Sequence, residues 1–390
     1  MNLKKFLKAA VLPLFATALA VSCGETKEEI VANELQQIME TNKAVGLAAV
    51  AVKDGQVVYN NTFGYKDLEA QTPLQKDDIF RIASISKSFT ATGIMQLVEQ
   101  GKLDLEADVS DILGFEVRNP KYPKVPITVR MLLSHSSSMN DYNGYFSLNS
   151  INPDSSKTWK TAWNDYEPGT KYEYCNMGFN TLGTIIEIVS GERFDQYIVN
   201  HIIKPLGVYA GYEIASLDSS KFVKLYEYDT EKGIFVNSPD AYAPRTAEIA
   251  NYVMGKSTPV FSPTGGVKIS AQDLAKVMMM HMGLGTLDST TIINKESAEL
   301  MQSQIIPTNE EGTTGYGFAI CTADKLIDGV TMIGHTGSAY GVYTAMFWDA
   351  ERKFGFVVMT NGCTGRRDNG FMSIHREVAA CLYNNFVKEQ

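Results

Sequence analysis

Two kinds of apolar pattern run along this chain, and each predicts a different kind of element. Short apolar, β-prone stretches lie near both chain ends and predict strands. Near the start, residues 44–53 and 56–65 flank Asp54-Gly55, a pair typical of hairpin turns. Near the other end, the predicted strands are 316–322, 330–334, 343–349 and 354–360. We therefore expect one antiparallel sheet that is built from both chain ends.

Apolar residues at helical spacing predict helices between and around these strands. They cover residues 28–41, 84–100, 177–189, 271–282 and 372–387. The fold class that follows is α/β (α+β), an antiparallel sheet flanked by helices. A helix-rich subdomain over about 88–265 is expected as an insertion beside the sheet.

Residues 1–22 have the pattern of a secretory signal peptide. Lys4, Lys5 and Lys8 precede an apolar run over 9–21, which is too short to span a bilayer as a helix. The small residues before Cys23 resemble a bacterial lipobox, in which the cysteine becomes the lipidated N-terminus. We expect a lipid at Cys23, a tether over 23–32 and a folded domain over 33–390, anchored at the bacterial cell envelope. Ordinary cleavage that leaves Cys23 without lipid is the alternative.

The composition excludes several classes of protein. Hydrophobic residues make up 44% of the 390 residues and charged residues 20%, which excludes a disordered tail and a collagen-like fibre. The formal net charge of −9 repels phosphate backbones, so we expect no nucleic-acid partner. Four cysteines besides Cys23 form no C-x-x-C pair, and we interpret them as free thiols, although an exported protein can form disulfides; they are Cys175, Cys321, Cys363 and Cys381.

An S-x-x-K pattern occurs once in the chain, at Ser84 and Lys87, at the start of a predicted helix. This spacing places the hydroxyl and the amine on one helix face, one turn apart. The amine can then accept the hydroxyl proton or stabilise the alkoxide. The pattern alone is weak, because a helix cap followed by a solvent-facing lysine also fits it.

Two further stretches carry groups that suit a catalytic cleft. Tyr174 and Asn176 follow a Pro-Gly turn and precede a predicted helix, which can present a phenol and an amide to one cleft. The same Y-x-N pattern at Tyr59 and Tyr383 falls in a predicted strand and helix, where packing explains it. Residues 335–338 offer a base, a hydroxyl and a glycine at a strand end, where a carboxylate and a substrate backbone could bind; they are His335, Thr336, Gly337 and Ser338.

The three motifs, in this order, resemble the S-x-x-K, Y-x-N and K-T-G elements of penicillin-recognising serine hydrolases, the serine β-lactamase and penicillin-binding protein superfamily. The class C β-lactamase and D-Ala-D-Ala carboxypeptidase branch is the most similar. Flanking elements extend the resemblance over nearly all of the chain beyond the leader. They are residues 127–135 (ITVRMLLSH), 264–267 (TGGV), Asp273-Leu274 and 316–318 (YGF). Three positions depart from the family pattern: His335 replaces a usual lysine, Cys175 a usual Ser or Ala, and Ser138 a usual glycine.

The resemblance implies a role for each motif residue. Ser84 would be the nucleophile, Lys87 its activating partner, and Tyr174 the proton shuttle to the leaving group. Asn176 would orient the substrate amide, and His335 with Thr336 would hold a carboxylate. Backbone N–H groups of Ser84 and Ser338 would form the oxyanion hole. Whether Lys87 or Tyr174 is the general base stays open at this point.

The sequence therefore predicts a secreted serine hydrolase that works through an acyl-enzyme on Ser84. Its expected substrate is a small molecule or peptide, such as a peptidoglycan stem peptide ending in D-Ala, cleaved by a D-Ala-D-Ala carboxypeptidase-like reaction. A class C-like β-lactamase, an esterase or amidase, and a non-catalytic penicillin-binding sensor are the alternatives. We expect no cofactor and no metal, since the chain has no H-x-x-x-H pair, and it also lacks a G-x-S-x-G elbow. His135 and His201 are expected to be packed or surface residues.

Overall fold

A computed structural model of the chain describes residues 25–388. The predicted signal peptide over 1–22 and the lipidation of Cys23 lie outside the described residues. Within the described part of the chain, no helix is both long enough and apolar enough to cross a membrane.

The chain alternates between short and long regular elements. The ten α-helices of the described residues are α1 (Lys27–Thr41), α2 (Ser86–Glu99), α3 (Val109–Leu113), α4 (Val129–Leu133), α5 (Asn176–Ser190), α6 (Phe194–Ile198), α7 (Thr246–Ala250), α8 (Ala271–Met282), α9 (Lys295–Gln302) and α10 (Ser373–Phe386). The strands are β1 (Gly46–Lys53), β2 (Gln56–Asp67), β3 (Thr72–Pro73), β4 (Phe80–Arg81), β5 (Ala210–Gly211), β6 (Tyr226–Asp229), β7 (Ile234–Asn237), β8 (Lys268–Ile269), β9 (Thr286–Leu287), β10 (Thr290–Thr291), β11 (Ile306–Pro307), β12 (Gly315–Tyr316), β13 (Cys321–Ile327), β14 (Val330–Ala339), β15 (Val342–Asp349), β16 (Phe354–Thr360), β17 (Arg367–Asp368) and β18 (Phe371–Met372).

The main sheet joins the two chain ends, as predicted. Its nine strands are antiparallel and lie in the order β11-β12-β13-β14-β15-β16-β1-β2-β3. The central junction is β1 against β16, where Leu47 pairs with Thr360 and Lys53 with Phe354. Asp54 and Gly55 both have positive φ, 50° and 75°, which the tight turn between β1 and β2 requires. The predicted fold class is confirmed.

Each face of the sheet buries a separate core. Along β1, Ala48, Val50 and Val52 face one core, while the alternate residues face the other. The outer core is covered by α1 and α10, and the inner core lies under α8 and the helix-rich middle of the chain. The alternation places the helix-rich region against one side of the sheet, and the candidate site forms at this junction.

Two predicted elements differ from the structure. The predicted strand 316–322 is broken between β12 and β13, because Gly317 donates its N–H to the Ile320 carbonyl at 2.8 Å and Ala319 has φ +61°. The predicted tether over 23–32 is also too long. Helix α1 begins at Lys27, Thr26 and Glu29 cap it reciprocally, and Val31 is fully buried. Residues 27–32 therefore belong to the folded domain.

Glu187 is a buried carboxylate that fixes the loop over 252–258 against α5. Its oxygens accept from the N–H groups of Phe194 at 2.9 Å and Gly255 at 2.8 Å, and from the hydroxyls of Tyr252 and Thr258.

We expect Glu187→Gln to lower the free energy of unfolding by about 2–3 kcal/mol, because the amide turns an N–H group toward some of these donors. Urea unfolding followed by circular dichroism measures the change. Glu192→Gln is the matched control, since Glu192 is partly exposed and pairs with His201, and its loss should cost less than about 1 kcal/mol. Equal losses in both variants would contradict this role.

Candidate active site

Ser84 lies in a tight turn that joins β4 to α2. The turn is a 3-10 helix over Ala83–Ile85, and Ala83 has φ +48°, a conformation that costs energy for a residue with a side chain. Strand β14 packs against this turn. A Cβ at Gly337 would lie 2.2 Å from the Ile82 carbonyl oxygen, so only glycine permits this approach. The Thr344 hydroxyl donates to the same carbonyl at 3.0 Å. Ser84 is thus presented, partly exposed, on a constrained backbone.

Lys87 is fully buried and points toward Ser84. Its Nζ lies 3.2 Å from Ser84 Oγ and donates to Asn176 Oδ1 at 2.8 Å and to the Thr264 carbonyl at 3.0 Å. Burial lowers the pKa of Lys87 to about 7, while the negative charge of Asp141 opposes part of this effect. Near neutral pH a large fraction of the amine is therefore uncharged and able to accept a proton.

Asn176 connects the lysine to the first turn of α5. Its Oδ1 also accepts from the Thr264 hydroxyl at 2.6 Å, and its Nδ2 donates to Asp141 Oδ2 at 2.9 Å. The Asp141 carboxylate in turn accepts the backbone N–H groups of Asn176 at 2.9 Å and Met177 at 3.0 Å. A carboxylate at a helix N-terminus stabilises the exposed N–H groups there. Asp141 therefore both starts α5 and holds the Asn176 side chain in place.

The Tyr174 ring lies over the lysine. Its centre is 4.7 Å from Lys87 Nζ and 4.3 Å from the ring centre of His135. His135 is buried, and its Nδ1 accepts the N–H of Cys175 at 3.1 Å, which fixes the backbone next to the tyrosine. Burial raises the pKa of Tyr174, and a hydrogen bond with Ser84 opposes the rise. The phenol therefore keeps its proton near neutral pH.

Strand β14 forms the other wall of the cleft and offers a free edge. Its pairing with β13 ends at Gly334, opposite Cys321, whereas its pairing with β15 continues from His335 to Ala339. Thr336 is partly exposed and Ser338 is exposed on this segment. An extended peptide can add to such an edge through main-chain hydrogen bonds.

His335, which the resemblance places with Thr336 as a partner for a carboxylate, has neutral hydrogen-bond partners. The side chain is buried, and its Nδ1 lies 2.5 Å from the Thr336 carbonyl oxygen while its Nε2 lies 2.9 Å from the Tyr316 hydroxyl. Burial, together with the nearby Lys87, lowers the pKa of His335 to about 4. The ring is therefore neutral near pH 7. It donates from Nδ1 to the carbonyl and accepts the Tyr316 O–H at Nε2.

The geometry brings together a serine, a buried amine, a phenol and an amide beside an open strand edge. The family profile described as "Beta-lactamase" matches residues 31–379, which is most of the chain. This chain belongs to the β-lactamase family.

Two curated relatives of this β-lactamase-family chain are named as penicillin-binding proteins. The chain is 27% identical over 314 residues to "Penicillin-binding protein 4" of Amycolatopsis lactamdurans, an alignment that covers 77% of this chain and 76% of the relative. It is 28% identical over 320 residues to "Penicillin-binding protein 4*" of Bacillus subtilis (strain 168), covering 80% and 67%. The superfamily predicted from the three motifs is confirmed.

Solved structures agree with the predicted architecture. The octameric penicillin-binding protein homologue from Pyrococcus abyssi superimposes with a TM-score of 0.71 at 28% identity, covering 91% of this chain and 77% of that one. A D-amino acid amidase from Ochrobactrum anthropi superimposes with a TM-score of 0.70 at 21% identity, covering 91% and 99%, which shows a shared fold. Together these matches indicate a serine hydrolase of the β-lactamase fold. Its assignment to the class C and carboxypeptidase branch stays a prediction from the motifs.

Sequence reasoning missed three residues that shape this site. Asp141, Thr264 and Tyr316 all contact a motif side chain. Thr264 and Tyr316 stand in stretches that resemble flanking elements of the family, so a signal was present for both. Asp141 stands in no motif, and it lies 35 positions before Asn176 in the chain.

The structure also shows the surroundings of the other single residues that the sequence analysis named. Cys175, Cys321, Cys363 and Cys381 are free thiols, as predicted. Ser138, which replaces a usual glycine, has φ +62° and is buried, where its hydroxyl accepts from Asn119 Nδ2 at 2.9 Å. His135 is packed and His201 is exposed, as predicted. Among residues 25–388, no group of three or more His, Cys, Asp or Glu side chains is arranged to hold a metal ion.

Proposed function

We propose that the protein is a serine acyl hydrolase that forms an acyl-enzyme on Ser84 and cleaves small peptides before a C-terminal D-Ala. The observation that carries this proposal is the position of the buried Lys87 amine, 3.2 Å from the Ser84 hydroxyl. A nucleophile paired with a base of lowered pKa is the arrangement that acyl transfer requires. The two relatives named as penicillin-binding proteins support a site that accepts penicillin-like acyl groups.

In this proposal the neutral Lys87 amine takes the Ser84 proton as the oxygen attacks the substrate carbonyl. The N–H groups of Ser84 and Ser338 stabilise the oxyanion, and Asn176 orients the amide next to the scissile bond. Tyr174 then gives a proton to the leaving amine, since its raised pKa keeps it protonated until that step. Water releases the acyl group in a second step, with the protons returning along the same path.

The proposed function is tested by following fluorescent penicillin labelling of the purified protein over time, together with D-alanine release from an acyl-D-Ala-D-Ala peptide. We expect a persistent adduct and measurable release of D-alanine. Rapid loss of the adduct with ring-opened penicillin would favour the β-lactamase alternative. A stable adduct without turnover of any peptide or ester would favour a sensor. Failure to label and to hydrolyse would contradict the proposal.

A second candidate is an amidase or esterase whose leaving group carries no carboxylate. The neutral, buried His335 favours it, because the cation usual at this strand position is absent near neutral pH. Turnover of the acyl-D-Ala-D-Ala peptide is compared with that of the same peptide with a C-terminal amide. Preference for the free acid supports the carboxypeptidase, and preference for the amide supports this candidate.

The activity should depend on pH through Lys87. If the neutral amine is the base, kcat/KM rises as pH increases, is half-maximal at a pH of about 7 and levels off above it. Asp141→Asn removes the negative charge that favours the ammonium form, so we expect the rise to shift to lower pH. Rates with an ester that does not titrate in this range measure both profiles. If kcat/KM of the Asp141→Asn variant rose at the same pH as that of the unsubstituted protein, the coupling between Asp141 and Lys87 would be contradicted.

The proposed location is the outside of the cytoplasmic membrane, held by a lipid on Cys23. The motif at the start of the chain supports it. Mass spectrometry of the N-terminal peptide from a membrane fraction tests this proposal. An N-terminal Cys23 with a diacylglyceryl group is expected, and an intact Met1 would contradict it.

A further inference from the structure

A cavity of about 1040 Å³ lies beside the candidate active site. Much of its wall comes from residues within 240–251 and 256–262, and Arg81, Lys268 and Tyr340 also line it. Within the described structure its lining includes none of Ser84, Lys87, Tyr174 or Asn176. It is therefore a neighbouring space with its own chemistry.

The backbone at Thr264 and Gly265 separates the active site from the cavity. The Thr264 carbonyl accepts from Lys87 Nζ at 3.0 Å on the catalytic side. The next carbonyl, that of Gly265, accepts from Arg81 Nε at 3.0 Å on the cavity side. Arg81 stands three positions before Ser84, and its guanidinium carbon lies 4.9 Å from the ring centre of Tyr340. Tyr340 also lines the cavity, so a molecule bound at Ser84 that extends past Tyr340 would reach it.

Lys268 is a buried amine at the cavity wall without a carboxylate partner in the described structure. It is 5% exposed, and its Nζ donates to the Tyr212 carbonyl at 2.5 Å. Arg81 likewise donates to backbone carbonyls, of Gly265 and Ala241. Among the residues that the structure describes, neither side chain forms an ion pair. Burying an ammonium in this way is costly unless an anion joins it.

The acidic side chains of the lining do not pair with Lys268 or Arg81. Glu213 pairs with Arg193 at 2.9 Å, and Glu248 pairs with Arg245 at 3.2 Å. Asp240 is exposed at the rim. Burial, followed by the nearby Arg81 and Arg245, holds the pKa of Lys268 well below its usual range. A carboxylate entering the cavity would restore the ammonium form and gain a charge-assisted hydrogen bond.

The direction of strand β14 indicates which part of a substrate would enter. In the proposed mechanism the leaving group lies near Thr336 and the scissile carbonyl points to the N–H of Ser338. The acyl part of a substrate that pairs with this edge then continues toward Tyr340, where the cavity begins.

We propose that this cavity binds a carboxylate on the acyl part of the substrate through Lys268 and Arg81. The inference rests on the proposed function and narrows its substrate class to peptides with an acidic group on the acyl side of the scissile bond.

The test uses two matched probes, N-glutaryl-D-Ala-D-Ala and the same compound with its glutaryl carboxylate converted to a primary amide. Binding of each is measured by calorimetry to the full chain carrying Ser84→Ala, so that no probe is consumed. Lys268→Met is then added to this background, because methionine has a similar length and no charge. Lys256→Met is the control, since Lys256 is an exposed lysine that lines the same cavity. Thermal melting checks folding, and Lys268→Gln replaces the first variant if that variant unfolds.

We expect the acid to bind about 10-fold to 100-fold more tightly than the amide, and Lys268→Met to remove this difference while Lys256→Met preserves it. Equal affinities for the two probes before Lys268 is changed would overturn the proposal. The proposal would also be overturned if Lys268→Met lowered the affinity for both probes equally. Release of D-alanine by the unsubstituted protein is measured separately. A Lys268-dependent preference without D-alanine release would leave the cavity site standing and reject the peptidase. Release of D-alanine without a Lys268-dependent preference for the acid would support the peptidase and reject the cavity site.

Discussion

Replacing Ser84 with alanine is expected to abolish the covalent adduct with fluorescent penicillin and to lower kcat by about 10⁴-fold or more. The reason is that Ser84 supplies the only oxygen that the proposed mechanism acylates. Gel fluorescence and the mass of the intact protein measure the adduct, and a chromogenic ester measures turnover.

Ser88→Ala is the matched control for this variant. Ser88 lies in the first turn of α2, directly after the Ser84 turn, but its hydroxyl donates to the Ile85 carbonyl at 2.8 Å and is buried. The control should keep both adduct and turnover. Retention of full hydrolytic activity by Ser84→Ala would reject the acyl-enzyme on this residue.

Replacing Lys87 with methionine is expected to lower the rate of acylation by about 10³-fold, because the serine then has no base within reach. Lys87→Arg separates two explanations of that loss. Arginine keeps a positive charge but stays protonated, so it cannot accept the Ser84 proton. We expect the arginine variant to be as slow as the methionine variant, with stopped-flow labelling as the measurement. An arginine variant near the unsubstituted rate would show that charge, rather than proton transfer, is the contribution of Lys87.

Local patterns were sufficient to predict most of the fold. The Asp54-Gly55 turn and the apolar runs on either side predicted β1 and β2, and α8 has the predicted bounds of residues 271–282. These elements depend on residues near one another in the chain. The broken strand between β12 and β13 could not be predicted in this way. It follows from Gly317, where a Cβ would lie 2.2 Å from the Met301 carbonyl oxygen near the end of α9, a contact between separate elements.

The same distinction applies to the candidate site. Ser84, Lys87, Tyr174 and Asn176 were recognised from short motifs, and the structure brings them together. Asp141 was missed because its carboxylate reaches α5 only after the chain has folded. The neutral state of His335 was missed because burial against Tyr316 decides it, and burial is a property of the whole fold.

The pairing of β1 with β16 has a consequence for how the protein is made. A ribosome produces Leu47 long before its partner Thr360. The sheet that holds β14 against the Ser84 turn therefore cannot close on a partly made chain, and contacts between such distant residues form slowly. The reactive serine is consequently assembled only after β16 has been synthesised. Until then the nascent chain carries the motifs but not the hydrolytic centre. Its unpaired strands must avoid aggregation while the central sheet is incomplete.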